Sequence, residues 1–362
     1  MSALKSILLQ EIATGGPINV ATYMQRALTD PLHGYYMQRR PFGAPDTDGG
    51  DFITAPEVSQ IFGELIGAWL ADLWDRMGRP APFCLAELGP GRGTLMGDVL
   101  RAACVLPDFG AAAQVHFIEV SPALRAEQKQ AVPQAQWHDD VTTLPALPTL
   151  SIANEFFDAL PIQQFKKTAS GWDEVCVDAD GDRLVFSSQA THAAPLSSAL
   201  QACLPSSLAN GDIVEACPAG EDAMTGLSGH IATHGGAALI IDYGHAEAGA
   251  GDSFQALAKH EFVDPLDAPG MADLTAHVNF PVLAHIAQSQ GLTAAPISRQ
   301  GAFLEALGLN IRAQQLIQAS PGREKQINEE RLRLAAPQHM GELFKVLGVA
   351  HPDMPALAGF TI

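Results

Sequence analysis

The residues from Glu87 to Thr94, ELGPGRGT, combine a carboxylate with three alternating glycines, Gly89, Gly91 and Gly93. Glycine is needed where the backbone takes a positive φ or approaches a ligand too closely for a Cβ. The spacing is G-x-G-x-G, not the G-x-G-x-x-G of a dinucleotide loop. Glu87 discriminates further. A pyrophosphate is repelled by a carboxylate at the loop, whereas S-adenosylmethionine carries an α-ammonium and a sulfonium that it attracts. The pattern therefore favours S-adenosylmethionine. The plain alternative is a glycine-rich turn with no ligand.

Three further segments bear on the same chemistry. Glu119 stands about 26–30 residues after the glycines, where a carboxylate accepts hydrogen bonds from both ribose hydroxyls. Ser121 follows it and caps the next helix, with Pro122 in the first turn. His138-Asp139-Asp140 ends another short apolar run, where an aspartate suits the adenine amino group or, equally, a turn or helix cap. NEFFDALP (154–161) follows a fourth run. Asn154, Glu155 and Asp158 are the candidates to border a methyl acceptor there, with Asp158 expected one helical turn on. Paired carboxylates hold a cationic nucleophile and take up its proton. Phe156 and Phe157 suit a pocket wall, though core is their commoner use. N-E in place of N-P-P-[YF] argues against methylation of adenine or cytosine amino groups.

The elements that must position these residues follow from periodicity. CLAEL (84–88), VHFIEV (115–120), AQWH (135–138) and TLSIAN (149–154) read as strands. They alternate with helices at Thr94 to Cys104 and Pro122 to Ala131, which predicts a parallel sheet covered by helices. Helices are also predicted over Ser2 to Thr14, Asn19 to Thr29 and Glu57 to Met77. Between them lies an irregular stretch, Pro31 to Pro56, long enough to be functional or partly disordered. QQFKKT, DEVCVD and RLVFSS, after residue 162, look antiparallel, with a turn at Asp180-Gly181-Asp182. Parallel character is expected to resume at DIVEAC (212–217) and AALIIDYG (237–244). Gly249 to Pro281 reads as loop, and Pro281 to Leu347 as mainly helical.

Composition narrows the classes. The chain has 362 residues, 47% hydrophobic and 17% charged, which supports a large core. A net charge of -19 opposes broad nucleic-acid binding and suits a cationic substrate, or simply solubility. None of the five cysteines forms C-x-x-C, and the 12 histidines include no H-E-x-x-H, so no metal and no disulfide framework is expected. No run reaches the roughly 18 apolar residues of a membrane span. The N-terminus, MSALKSILLQEIATGG, does not read as a signal or transit peptide. These features point to a soluble cytoplasmic protein without membrane insertion.

Taken together, the blocks DPLHGYY (30–36), GDFITAPEVSQIFGE (50–64), ELGPGRGTLM (87–96), EVSPALRAEQ (119–128), NEFFDALP (154–161), DYG (242–244), DLTAHVNF (273–280), QGAFLEALG (300–308) and MGELFKVL (340–347) resemble the MidA family of S-adenosylmethionine-dependent methyltransferases. That family includes a mitochondrial protein-arginine methyltransferase that assists assembly of respiratory complex I. The match covers nearly the whole chain. It implies an α/β class I, Rossmann-like methyltransferase sheet with an N-terminal helical extension, an inserted antiparallel region and helical C-terminal additions. The implied division is 1–80 as extension and cofactor-covering loop, 81–260 as core with an insertion at about 162–205, and 261–362 as remaining strands and a mainly helical cap.

The resemblance implies transfer to a protein arginine, in the mitochondrial member on a complex I subunit. It implies Glu87, Gly89, Gly91 and Gly93 as the methionine loop, Glu119 as the ribose ligand and Asp139 as the adenine contact, with Thr94, Ser121 and Asp140 among the cofactor-binding residues. Asn154, Glu155 and Asp158 would border the acceptor, and Thr54 and Glu57 would lie in a block folded over the cofactor. The chain departs from the family at Asn279 and Arg299, where Asp and Thr are more usual; acceptor choice depends on whether those positions line the substrate channel. Three other readings stand beside this one: a methyltransferase with a small-molecule or different protein acceptor, a non-catalytic cofactor-binding assembly factor, and a nicotinamide oxidoreductase, which Glu87 and the glycine spacing disfavour. The apolar C-terminal region either covers the core or forms a homodimer face.

Overall fold

A computed structural model describes residues 2–38, 53–191, 196–247 and 249–360. Of the irregular stretch expected from Pro31 to Pro56, residues 39–52 lie outside the described residues. The chain groups into two units, each assembled from three stretches. One comprises Thr54–Phe156, Ala223–Ala246 and Leu283–Ile362; the other comprises Met1–Ile53, Phe157–Asp222 and Glu247–Val282. These boundaries fall elsewhere than 80/81 and 260/261.

The first unit is built on a mainly parallel sheet. Its longer strands are β1 (Phe83–Leu88), β2 (Ala113–Ile118), β3 (Gln136–His138), β4 (Thr149–Asn154), β5 (Gly236–His245) and β6 (Phe344–Ala350). They lie in the order β6-β5-β4-β1-β2-β3. β1 runs parallel to both β2 and β4, with Leu88 opposite Ile118 and Ala153. Asn154 of β4 pairs with Ile241 of the parallel β5. The carboxyl ends of β1, β2 and β4 are therefore level, and β5 runs on past them to His245. The chain runs from β1 outward to β3, then crosses back to β4. That reversal makes the crevice beside β1 the switch point where open α/β sheets bind ligands. Every residue of β1 and β4 is buried, as strands covered on both faces require.

The helix Thr94–Ala103 packs closely on Gln60–Arg76. A Cβ at Gly63 would meet the Asp98 Cβ at 2.5 Å, and one at Gly67 the Val99 carbonyl at 2.9 Å. The helix expected from Glu57 to Met77 is broken at Ser59, whose φ of -159° and ψ of 137° are extended. This leaves a separate turn of helix, Ala55–Val58, which turns out to matter for the site. The C-terminal helices Gln300–Ala306, Leu309–Ala319 and Glu324–Ala335 cover the core through Phe303, Leu304, Leu309, Ile327 and Leu334. The helical expectation, which runs to about Leu347, fails at its end, within residues 344–350. That segment is β6, antiparallel to β5, with Val346, Leu347 and Val349 fully buried. A short apolar run fits a buried strand as well as a buried helix.

The second unit holds the helices Ala3–Gly15 and Val20–Thr29, capped by Ser2 and Asn19. Its antiparallel strands Gln163–Thr168, Gly171–Asp180 and Arg183–Ala190 match the expected hairpins. Ile213–Ala216 corrects the sequence reading: it pairs antiparallel with Gln163–Thr168 rather than resuming a parallel sheet. Its burial alternates, with Val214 and Ala216 inside, as a one-sided antiparallel strand requires. The stretch expected as loop contains a second antiparallel sheet of Gln255–Ala258, Glu261–Val263 and Asp273–Thr275.

Candidate active site

The glycine loop leaves β1 at the switch point. Gly89, Gly91 and Gly93 have φ of 62°, 52° and 80°, a region that disfavours any side chain. A Cβ at Gly89 would also stand 2.8 Å from the Phe156 ring. Gly93 occupies the N-cap of the helix Thr94–Ala103 and has no side chain to cap it. Glu87 supplies the missing acceptor, taking the backbone N–H of Met96. It is 2% exposed, and burial pushes its carboxyl up to about 8. Its Oε2 is buried without a hydrogen-bond partner. An orphaned carboxylate oxygen beside a glycine cradle is where an ammonium group would be accepted.

Glu119 follows directly on β2. Its carboxylate accepts the Ser121 N–H at 2.7 Å and the Gln128 amide at 3.1 Å. Burial pushes its carboxyl up, and these donors oppose that. The sequence reading missed Gln128. Its amide also donates to the Gly91 carbonyl at 2.8 Å and accepts from the Trp137 indole at 2.8 Å. It is wholly buried and ties Glu119 to the glycine loop. The signal was a long polar residue on the inward face of an otherwise ordinary amphipathic helix. Asp139 is exposed and forms an ion pair with Arg125 at 2.6 Å; Arg125 also donates to the Glu119 carbonyl. Asp140 caps a short turn by accepting the Thr142 N–H at 2.7 Å, and Ser121 caps Pro122–Ala131. Thr94 is the first residue of its helix.

At the end of β4, the Asn154 amide donates to Glu155 Oε1 at 3.2 Å. Asn154 Oδ1 is buried and has no hydrogen-bond partner. Glu155 Oε1 also accepts the Ala55 N–H at 3.0 Å. Glu155 itself has φ of 51°. A non-glycine residue held there costs of order 1–3 kcal/mol, so its surroundings must enforce it. The turn Ala55–Val58 thus reaches Glu155, and Glu57 reaches Arg92 of the glycine loop at 3.6 Å. Arg92 pairs also with Glu127 at 3.6 Å, and burial holds the Glu57 carboxyl above its usual range. Thr54 occupies the N-cap position without a side-chain cap bond.

Asp158 is placed in the other unit. Residues 155–160 are turns and bends, so it does not sit one helical turn beyond Glu155. It is buried there, its carbonyl accepting the Ala276 N–H at 3.0 Å. Tyr36 donates to Asp273 at 2.8 Å, and burial, with Asp273 and Asp158 nearby, pushes the Tyr36 phenol well up. Asn279 accepts the Val282 N–H at 3.4 Å, a cap that Asp would serve equally, and the exposed Arg299 pairs with Glu342 at 3.1 Å.

A family model described as "Putative S-adenosyl-L-methionine-dependent methyltransferase" matches residues 65–298. The chain belongs to that family. This methyltransferase is 38% identical to the mitochondrial protein arginine methyltransferase NDUFAF7 of Danio rerio over 385 residues, 96% of this chain and 86% of that one. It is also 38% identical to the Homo sapiens protein of the same name, over 93% of this chain and 81% of that one. A crystal structure of a Burkholderia thailandensis protein bound to S-adenosyl-homocysteine superposes with a TM-score of 0.85 at 27% identity, covering 99% of this chain and 94% of that one. A native crystal structure from the same organism gives 0.81 at 26% identity. The methyltransferase has the class I fold and uses S-adenosylmethionine. Its own residues fit that cofactor: positive-φ glycines, an orphaned Glu87 oxygen and a buried Glu119 at the next strand end. Among the described residues, no helix is long and apolar enough to cross a membrane, and no three His, Cys, Asp or Glu side chains are grouped as metal ligands.

Proposed function

We propose that this methyltransferase acts on a protein arginine, gripped by Glu155. The observation that carries the proposal is the pair of acceptors at the end of β4. There the Glu155 carboxylate is held in a strained turn beside the buried, unpartnered Asn154 Oδ1. A guanidinium offers five N–H donors and stays cationic at neutral pH. Glu155 matches its charge, and Asn154 accepts a further N–H. The names of the relatives and the net charge of -19 support a cationic protein acceptor. The finer reading is a subunit of respiratory complex I, methylated in the cytoplasm of a bacterium. Five unpaired cysteines favour such a reducing compartment.

In the proposed site, Glu87 and the glycine loop hold the methionine end of the cofactor and Glu119 its ribose. S-adenosylmethionine supplies a methyl group on a sulfonium. Glu155 aligns one arginine nitrogen for in-line attack, which is most of what this displacement needs. The N–C bond forms as the C–S bond breaks, and the nitrogen's proton passes to Glu155 or on to solvent. Isotope-labelled S-adenosylmethionine added with the enzyme to a cell extract tests the acceptor. Mass spectrometry should find the label on a protein arginine. Label in a metabolite or another side chain would refute the arginine reading, and cofactor binding with no transfer would refute catalysis.

Glu87 gives a pH prediction. Its unfolded-state carboxyl ionises near the ordinary 4.5, whereas in the fold burial keeps it protonated to about 8. Between those values the folded state binds more protons, so stability without cofactor falls as pH rises, by roughly 1 kcal/mol per unit from this group. An ammonium ligand needs the ionised form, so cofactor affinity should rise from about pH 6 toward about pH 8, until the ligand's own α-ammonium begins to lose its proton. Glu87→Gln should flatten both slopes. Calorimetry and thermal melting at pH 6, 7 and 8 check this; slopes that persist in the variant would remove Glu87 from the ammonium site.

A further inference from the structure

Asp242 takes no part in the proposed reaction. It is fully buried near the end of β5, next to the end of β4. Its Oδ2 accepts the N–H of Phe156 at 3.2 Å, and its Oδ1 accepts the N–H of Tyr243 at 2.9 Å. Phe156 is the residue after Glu155, so the first bond fixes the peptide that leaves the strained position. The peptide entering that position is fixed by the same strand, since the Glu155 N–H donates to the Ile241 carbonyl at 2.9 Å. Left alone, a glutamate would relax to negative φ and swing its carboxylate away. The Ala55 N–H and the Asn154 amide hold the Glu155 side chain, and β5 holds its backbone. Phe156 also packs against Gly89. One turn therefore sets both the direction of the carboxylate and its distance from the glycine loop.

We propose that Asp242 is a positioning residue for Glu155: by clamping the Phe156 amide it maintains the left-handed turn that aims the carboxylate at the acceptor. This rests on the assignment of Glu155 to the acceptor. An uncharged backbone clamp at this place would fill the same space, but asparagine has one acceptor oxygen where Asp242 uses two. Asp242→Asn must leave one of the two amides facing an NH₂ group.

The test compares wild type, Asp242→Asn, Glu155→Gln and the double variant. Label transfer to extract protein is measured at saturating S-adenosylmethionine, with S-adenosylhomocysteine affinity by calorimetry. Asp242→Asn should lower turnover about tenfold or more, leave affinity within about twofold, and cause no further loss on top of Glu155→Gln. A crystal structure of Asp242→Asn should show Glu155 out of the left-handed region or its carboxylate away from the Ala55 N–H. Unchanged turnover, an equal loss of cofactor affinity, an additive loss in the double variant, or an unmoved Glu155 would overturn the proposal. Full turnover in Glu155→Gln alone would instead overturn the acceptor assignment on which it rests.

Discussion

Glu155→Gln should lower methyl transfer by about 100- to 1,000-fold while the protein binds S-adenosylhomocysteine as before. The glutamine is isosteric. Its carbonyl oxygen can still accept the Ala55 N–H and the Asn154 amide, the two donors that Glu155 Oε1 receives. The turn therefore need not change. What is lost is the charge that grips a guanidinium and the base that takes its proton. Because the cofactor is held by other residues, the defect should appear in turnover and acceptor binding, not in cofactor affinity. Steady-state transfer with calorimetry on the same preparation separates these. Wild-type turnover would remove Glu155 from the mechanism, and a parallel collapse of cofactor affinity would make its role structural.

Gly91→Val should weaken cofactor binding by at least about 100-fold without unfolding the protein. Gly91 has φ of 52°, and a β-branched residue is a true outlier there. Forcing it costs of order 1–3 kcal/mol, well below the roughly 5–15 kcal/mol that holds a domain folded. The cheaper response is for the loop to change shape. That moves the Gly91 carbonyl off Gln128, and Gln128 is what links the loop to Glu119. Both ends of the cofactor site should be disturbed by one substitution. Circular dichroism should stay native while the calorimetric signal disappears. Unchanged affinity would mean that the loop does not hold the ligand.

The sheet and the loop were legible because their signals are local. Continuous apolar runs such as CLAEL and TLSIAN mark covered parallel strands, and alternate glycines after a carboxylate mark a ligand turn. The misread segments depend on distant partners. Ile213–Ala216 and Phe344–Ala350 carry ordinary strand residues, and only their neighbours decide which sheet they join. The hairpin at Lys259-His260 was invisible because its two positive-φ residues are neither glycine nor asparagine. For the proposed site, residue type singled out Glu87, Glu119 and Glu155. It did not reveal Gln128 and Asp242, whose importance lies in which backbone groups they hold. Nor could it separate Asp158 from Glu155, since three residues of spacing say nothing about a turn that carries the chain into another unit.

The most direct test of the central claim is a crystal structure of this methyltransferase with S-adenosylhomocysteine. The account predicts the α-ammonium at Glu87, the ribose hydroxyls on Glu119 and the sulfur open toward Glu155. A ribose held elsewhere than Glu119, or a sulfur facing away from Glu155, would contradict it.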